Sequence, residues 1–170
     1  MTDQTQNSTA LPLQTEQEKK IFESRMQRVA EVFSHQIPFH QLIGFEFDQL
    51  SVDICKISFK KKPELVGNPF QNILHGGVTA TALDVVGGCM AIAGMLANNL
   101  NISDEAISKK MTKTSTIDLR VDYVRPGKGD TFYAIARLLR SGNKVAVVRM
   151  ELHDEDDVVI ALGTGTYMTG

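Results

Sequence analysis

Residues 72–97, NILHGGVTATALDVVGGCMAIAGMLA, constrain the fold more than any other stretch of this chain. From Gly76 to Ala97 the side chains are small or apolar, and Asp84 is the one charge. A helix that is apolar on every side has to be enclosed, either by lipid or by its own protein. These 22 residues are long enough to cross a bilayer. However, a carboxylate near the middle would cost about 2.5–3.5 kcal/mol on insertion. The stretch is also rich in Gly, Ala and Thr rather than Leu and Ile, and no Lys or Arg flanks it closely. The expectation is a core helix with no membrane span, and Asp84 then needs a reason to be there.

The flanking pattern says what encloses the helix. Residues 16–34 carry Ile21, Phe22, Met26, Val29, Val32 and Phe33 at spacings of three and four, with charges between, which predicts an amphipathic helix. Thr15 and Glu18 stand at capping-box spacing before it. Pro38 breaks the pattern, a short turn-helix follows, and Gly44 opens one bent or two short strands over 44–60. KKKPELVGNPFQ, with two prolines, reads as a loop, and 98–113 as a polar connection with one helical turn after Ser103. From Ser115 the period becomes two: Ile117, Leu119, Val121 and Tyr123 share one face and Asp118, Arg120 and Asp122 the other. Two more strands follow, around a turn at Ser141-Gly142-Asn143, then another turn at Glu155–Asp157 and a last strand. An all-apolar helix between two sets of strands predicts an α+β domain whose antiparallel sheet curls around that helix, with an extra helix at the N-terminal end.

The 170 residues suit one domain, read as 15–170 after a polar, disordered lead over 1–14. That lead has no basic-then-apolar signal pattern. A net charge of −2 and a pI near 6.1 argue against a nucleic-acid partner. Cys55 and Cys89 sit in apolar surroundings without metal-ligand spacing, which points to a reducing, cytoplasmic setting and to no metal.

LHGGVTATALDVVGG, the strand run STIDLRVDYVRPGKGDTFYAIARLLRSGNKVAVVRMEL and the closing ALGTGTYM together resemble the hotdog-fold acyl-CoA thioesterases. The nearest branch is the phenylacetate-pathway (PaaI-like) type, in particular its bacterial YigI-like members. The resemblance covers about residues 40–168. His-Gly-Gly with an acid nine residues after the His, inside an apolar helix and before four strands, is what makes it specific. It implies a hydrolase that cleaves acyl-CoA to a free acid and CoA with no cofactor. It maps the oxyanion-hole amide to Gly76, the nucleophile or general base to Asp84, and a Ser/Thr opening the next strand to Thr116. The family's Asn or Gln, six residues before the His, falls on Pro69 here. Asn68 is one residue earlier, with Gln71 and Asn72 as fallbacks. The hydroxyl found in some branches four residues after the acid is replaced by Gly88.

Elementary chemistry fits that assignment. A thioester carbonyl under attack becomes an oxyanion, and a helix N-terminus offers unpaired N–H groups and a positive dipole end. Gly76 and Gly77 let an acyl group approach the backbone. From Gly76 to Asp84 the helix rises roughly 12 Å, too far for one side chain to reach a carbonyl seated on its own helix terminus. Two such helices running antiparallel across a two-fold axis would bring Asp84 of one subunit to Gly76 of the other, so a homodimer or dimer of dimers is expected. His75 reads as a loop-fixing residue rather than a base, and His35, His40 and His153 as structural. Arg120, Arg125, Lys128, Arg137, Arg140 and Lys144 are the candidates for CoA phosphates. The alternatives from other classes are a dehydratase of the same fold, acting on acyl-carrier-protein or acyl-CoA substrates, and a non-catalytic acyl-CoA-binding protein.

Overall fold

The computed structural model describes residues 13–170. Most of the expected lead over 1–14 lies outside them. Its last two residues are tied down: Leu13 packs against the core and the Gln14 N–H donates to Glu18 Oε2.

Helix α1 (Glu16–His35) opens on the expected capping box, with Thr15 Oγ1 accepting from the Glu18 N–H and the Glu18 carboxylate accepting from the Thr15 N–H. Its inner face buries Phe22, Met26 and Val29. Arg25 lies buried on the same helix, donating to Asp104 Oδ1 (3.1 Å) and to the carbonyls of Asn99 and Ile102. Helix α2 (Pro38–Ile43) starts with proline in its first turn, where no intrahelical N–H is needed, and ends on Gly44 at φ +88°.

Strands β1 (Glu46–Leu50) and β2 (Cys55–Lys60) then form a hairpin. The stretch expected to be a plain loop holds a 3-10 turn at Pro63–Leu65 and a small hairpin, β3 (Val66–Asn68) and β4 (Ile73–Leu74). Helix α3 (Gly76–Ala97) follows, then α4 (Asp104–Met111), a full helix capped by Ser103 rather than a single turn. The chain ends in β5 (Ser115–Tyr123), β6 (Thr131–Ser141), β7 (Val145–Asp154) and β8 (Val159–Met168).

The six-stranded antiparallel sheet runs β1-β2-β6-β7-β8-β5. It wraps α3, which packs chiefly across β6 and β7 at the sheet's centre. Along those two strands, alternate residues (Phe132, Ala134, Ala136 and Leu138; Ala146, Val148, Met150 and Leu152) turn inward onto the helix. α3 is long and apolar enough to span a membrane by length and composition, yet 78% of its apolar window is buried inside the protein. The sheet replaces lipid as the helix's surroundings.

β5 sits at the sheet's edge, paired on one side only, with β8. Its expected alternation is half expressed: Leu119 and Val121 are half-buried, while Ile117 (53%) and Tyr123 (57%) stand exposed.

Candidate active site

The His-Gly-Gly turn is held from three sides. The Leu74 N–H donates to the Gly127 carbonyl, and the His75 N–H to the Leu65 carbonyl. Gly67 lies so close that a Cβ there would sit 2.6 Å from His75 Cα. His75 is the N-cap of α3, its Nδ1 accepting from the Gly77 N–H at 2.9 Å. An accepting Nδ1 puts the ring proton on Nε2. The imidazole therefore caps the first turn of α3 through Nδ1.

Among the described residues no group accepts from the Gly76 N–H. It is left as an open donor at the positive end of a 22-residue helix. The Gly76 carbonyl accepts from the Tyr123 hydroxyl at 3.0 Å, which ties the start of α3 to the end of β5. Beside them lies a cleft of about 370 Å³ lined by Gly76, Thr79, Tyr123 and Arg125. Of the basic residues singled out in the sequence, Arg125 lines this cleft and also donates to the Val159 carbonyl, whereas Arg120 pairs with Asp122.

Asp84 lies two turns along α3 in a separate pocket of about 180 Å³, among Phe33, Ile37, His40, Val85, Gly88, Ile92, Thr116 and Tyr167. Thr116 Oγ1 donates to Asp84 Oδ1 at 2.9 Å, and the Tyr167 hydroxyl also lies against the Asp84 carboxylate. The Tyr167 hydroxyl donates to the Asp84 backbone carbonyl at 3.3 Å. Burial, with the Asp84 charge adding to it, raises the Tyr167 pKa well above the ordinary phenol value, so Tyr167 is a fixed donor. Gly87 makes room for it: a Cβ there would fall 2.1 Å from the Tyr167 oxygen.

Thus the structure brings Asp84 and Thr116 together and sets Gly76 and Gly77 at the helix end. The three amide candidates lie in the preceding loop. Asn68 Oδ1 accepts from the Phe70 N–H at 3.0 Å, an Asx turn. Gln71 is exposed, and Asn72, at φ +51°, presents its carbonyl to the Lys61 ammonium. None of the three lines the Asp84 pocket. Tyr123, His40 and Tyr167 were not singled out as site residues from the sequence, because each reaches the site through the tertiary fold. Among the described residues no group of three or more His, Cys, Asp or Glu side chains could hold a metal ion.

A curled antiparallel sheet around one apolar helix, with an open amide donor at the helix start and a carboxylate two turns on, defines a hotdog-fold protein equipped for acyl-thioester chemistry. The Thioesterase superfamily profile matches residues 71–161, and the chain belongs to that family. It is 44% identical, over 87% of its length and 96% of the relative's, to the medium/long-chain acyl-CoA thioesterase YigI of Escherichia coli K12. A crystal structure from Shewanella oneidensis, of a protein related to the thioesterase superfamily, shares 48% identity at a TM-score of 0.86, covering 88% of this chain and 98% of that one. The PaaI protein of the E. coli phenylacetic acid degradation operon has the same fold at 15% identity and a TM-score of 0.70, covering 88% of this chain and 96% of that one.

Proposed function

We propose that this protein is an acyl-CoA thioesterase that cleaves medium- to long-chain acyl-CoA, at sites shared between two copies of the chain. The substrate class rests on the 44% identity to YigI across nearly the whole of both chains. The roles are those the chemistry allows. The Gly76 amide receives the developing oxyanion, and Asp84 acts as base or nucleophile. Thr116 orients the carboxylate, His75 and Gly77 shape the turn, and Arg125, which lines the cleft beside Gly76, holds a CoA phosphate.

One observation carries the shared-site reading. β5 and α3 run antiparallel, so Thr116 at one end of β5 touches Asp84 while Tyr123 at the other end touches Gly76. In one chain the two half-sites open into different clefts. β5 is also an edge strand with a free ladder and exposed Ile117 and Tyr123. Pairing two β5 edges across a two-fold axis sets the Asp84–Thr116 end of one subunit beside the Gly76–Tyr123 end of its partner, twice per dimer.

The test uses mixed dimers. Asp84→Ala and Gly76→Pro are each expected to lose thiol release from medium- and long-chain acyl-CoA. Mixing the two should restore up to half of the wild-type rate per dimer, because one of the two composite sites is then intact. Heterodimers no more active than either parent would refute the shared site. Wild-type protein that releases no thiol from any acyl-CoA would refute the activity.

A further inference from the structure

His40 is read from sequence as structural, yet it belongs to the Asp84 pocket. Helix α2 delivers it there, with its ring packed against Phe33, Phe45 and Phe47 at centroid distances of 5.3, 5.8 and 6.4 Å. The residue is 8% exposed. Nδ1 lies 2.9 Å from the Phe33 carbonyl oxygen, which can only accept, so Nδ1 carries the proton and Nε2 is an acceptor in the neutral ring. Nε2 has no partner among the described residues. It is not sealed either: the one enclosed side-chain polar atom without a partner among those residues is Thr169 Oγ1. His40 and Asp84 line the same small pocket. That pocket therefore offers two acceptors with unused lone pairs, His40 Nε2 and the Asp84 carboxylate, among apolar side chains and the hydroxyls of Thr114, Ser115, Thr116 and Tyr167.

We propose that His40 and Asp84 together hold the hydrolytic water, each accepting one of its two hydrogens. The inference rests on the thioesterase reading and commits Asp84 to the role of base. A water donating both hydrogens to fixed acceptors has its lone pairs directed away from them, toward the thioester. The water oxygen bonds to the thioester carbon as one proton passes to the Asp84 carboxylate. The tetrahedral oxyanion then collapses, the C–S bond breaks, and the Asp84 proton goes to the departing thiolate. The second hydrogen stays on the product acid. His40 takes no proton; it fixes the direction of attack, and it does so because the Phe33 carbonyl locks its tautomer.

The test compares purified wild type with His40→Phe, which keeps an aromatic ring in the cluster, and His40→Gln, which keeps a donor for the Phe33 carbonyl and an acceptor for water. Rates of thiol release are measured with and without hydroxylamine, a nucleophile that needs no seat between the two acceptors. His40→Phe is expected to lower kcat about 10- to 100-fold, the scale of a misplaced reactant, with KM within twofold. Its ratio of hydroxamate to free acid should rise, and His40→Gln should recover most of the hydrolysis. An unchanged product ratio, or a His40→Phe kcat within twofold of wild type, would overturn the proposal. If His40→Phe does not fold, His40→Leu, which also removes the acceptor, is read by the same criterion: a lowered kcat with a raised hydroxamate ratio supports the proposal, and an unchanged ratio or a kcat within twofold of wild type refutes it. A wild-type enzyme inert toward every acyl-CoA would instead sink the parent reading.

Discussion

Thr116 Oγ1 donates a 2.9 Å hydrogen bond to Asp84 Oδ1, joining the start of the edge strand to the middle of the central helix. The bond engages one carboxylate oxygen, and the Tyr167 hydroxyl lies against the same carboxylate. In the proposed mechanism Thr116 orients the carboxylate and Asp84 reacts. Asp84→Asn should lower kcat for acyl-CoA hydrolysis by roughly 10²–10⁴-fold, since an amide can neither take a proton nor attack. Thr116→Ala, at an exposed position, should leave the fold intact and lower kcat by about tenfold, the loss of one orienting hydrogen bond to a charged group. Thr116→Ser should restore it. Thiol release and circular dichroism on the three variants check this ordering.

Two adjacent glycines should respond oppositely to the same change. A Cβ on Gly87 would meet the Tyr167 oxygen at 2.1 Å and the Met150 sulfur at 3.0 Å, whereas on Gly88 its nearest neighbour is a Tyr167 ring carbon at 3.9 Å. Gly87→Ala should therefore cost about 1–3 kcal/mol through overpacking. Gly88→Ala should be neutral or slightly stabilising, since a mid-helix glycine gives way to a better helix former. Urea denaturation of the pair measures the difference.

The buried imidazole of His40 links stability to pH. Burial among the phenylalanine rings lowers its pKa below the ordinary 6.5, against the opposing pull of the Phe33 carbonyl and the Asp84 charge. The unfolded chain therefore binds a proton that the folded one resists. This contribution is fully present above pH 6.5 and is lost as pH falls below it toward the lowered folded value. Melting temperatures measured from pH 7.5 down to 5 should fall more steeply for wild type than for His40→Gln.

The two thiols should be silent in the native protein. Burial raises Cys55 to about 12 and holds Cys89 well above the usual thiol value, so neither forms a thiolate near neutral pH. A disulfide reagent should react with both only after denaturation. Native protein labelled within minutes would show that β2 or α3 opens readily.

Much of this architecture is legible in the chain itself. The Thr15–Glu18 box, the apolar run from Gly76 to Ala97 and the period-two strands after Ser115 are short-range patterns, and each forms the element its pattern indicates. Two local readings fell short. Residues after Ser103 build a whole helix because Arg25 and Arg28 of α1 hold Asp104 in its first turn. The apparent loop before His75 pairs into a hairpin because Leu65, Leu74 and Gly127 hydrogen-bond around the His-Gly-Gly turn.

The sequence by itself determined the elements, the enclosed helix and the spacing of the His-Gly-Gly turn from Asp84, since caps and hydrophobic periodicity act over a few residues. Tertiary structure alone decided that β5 lies at an open edge, that Thr116 reaches Asp84 across 32 positions, that Tyr123 reaches Gly76 across 47, and that His40 shares the acid's pocket. Strand order and helix docking are set by how the whole core packs, and no local pattern records which distant side chains that packing will bring together.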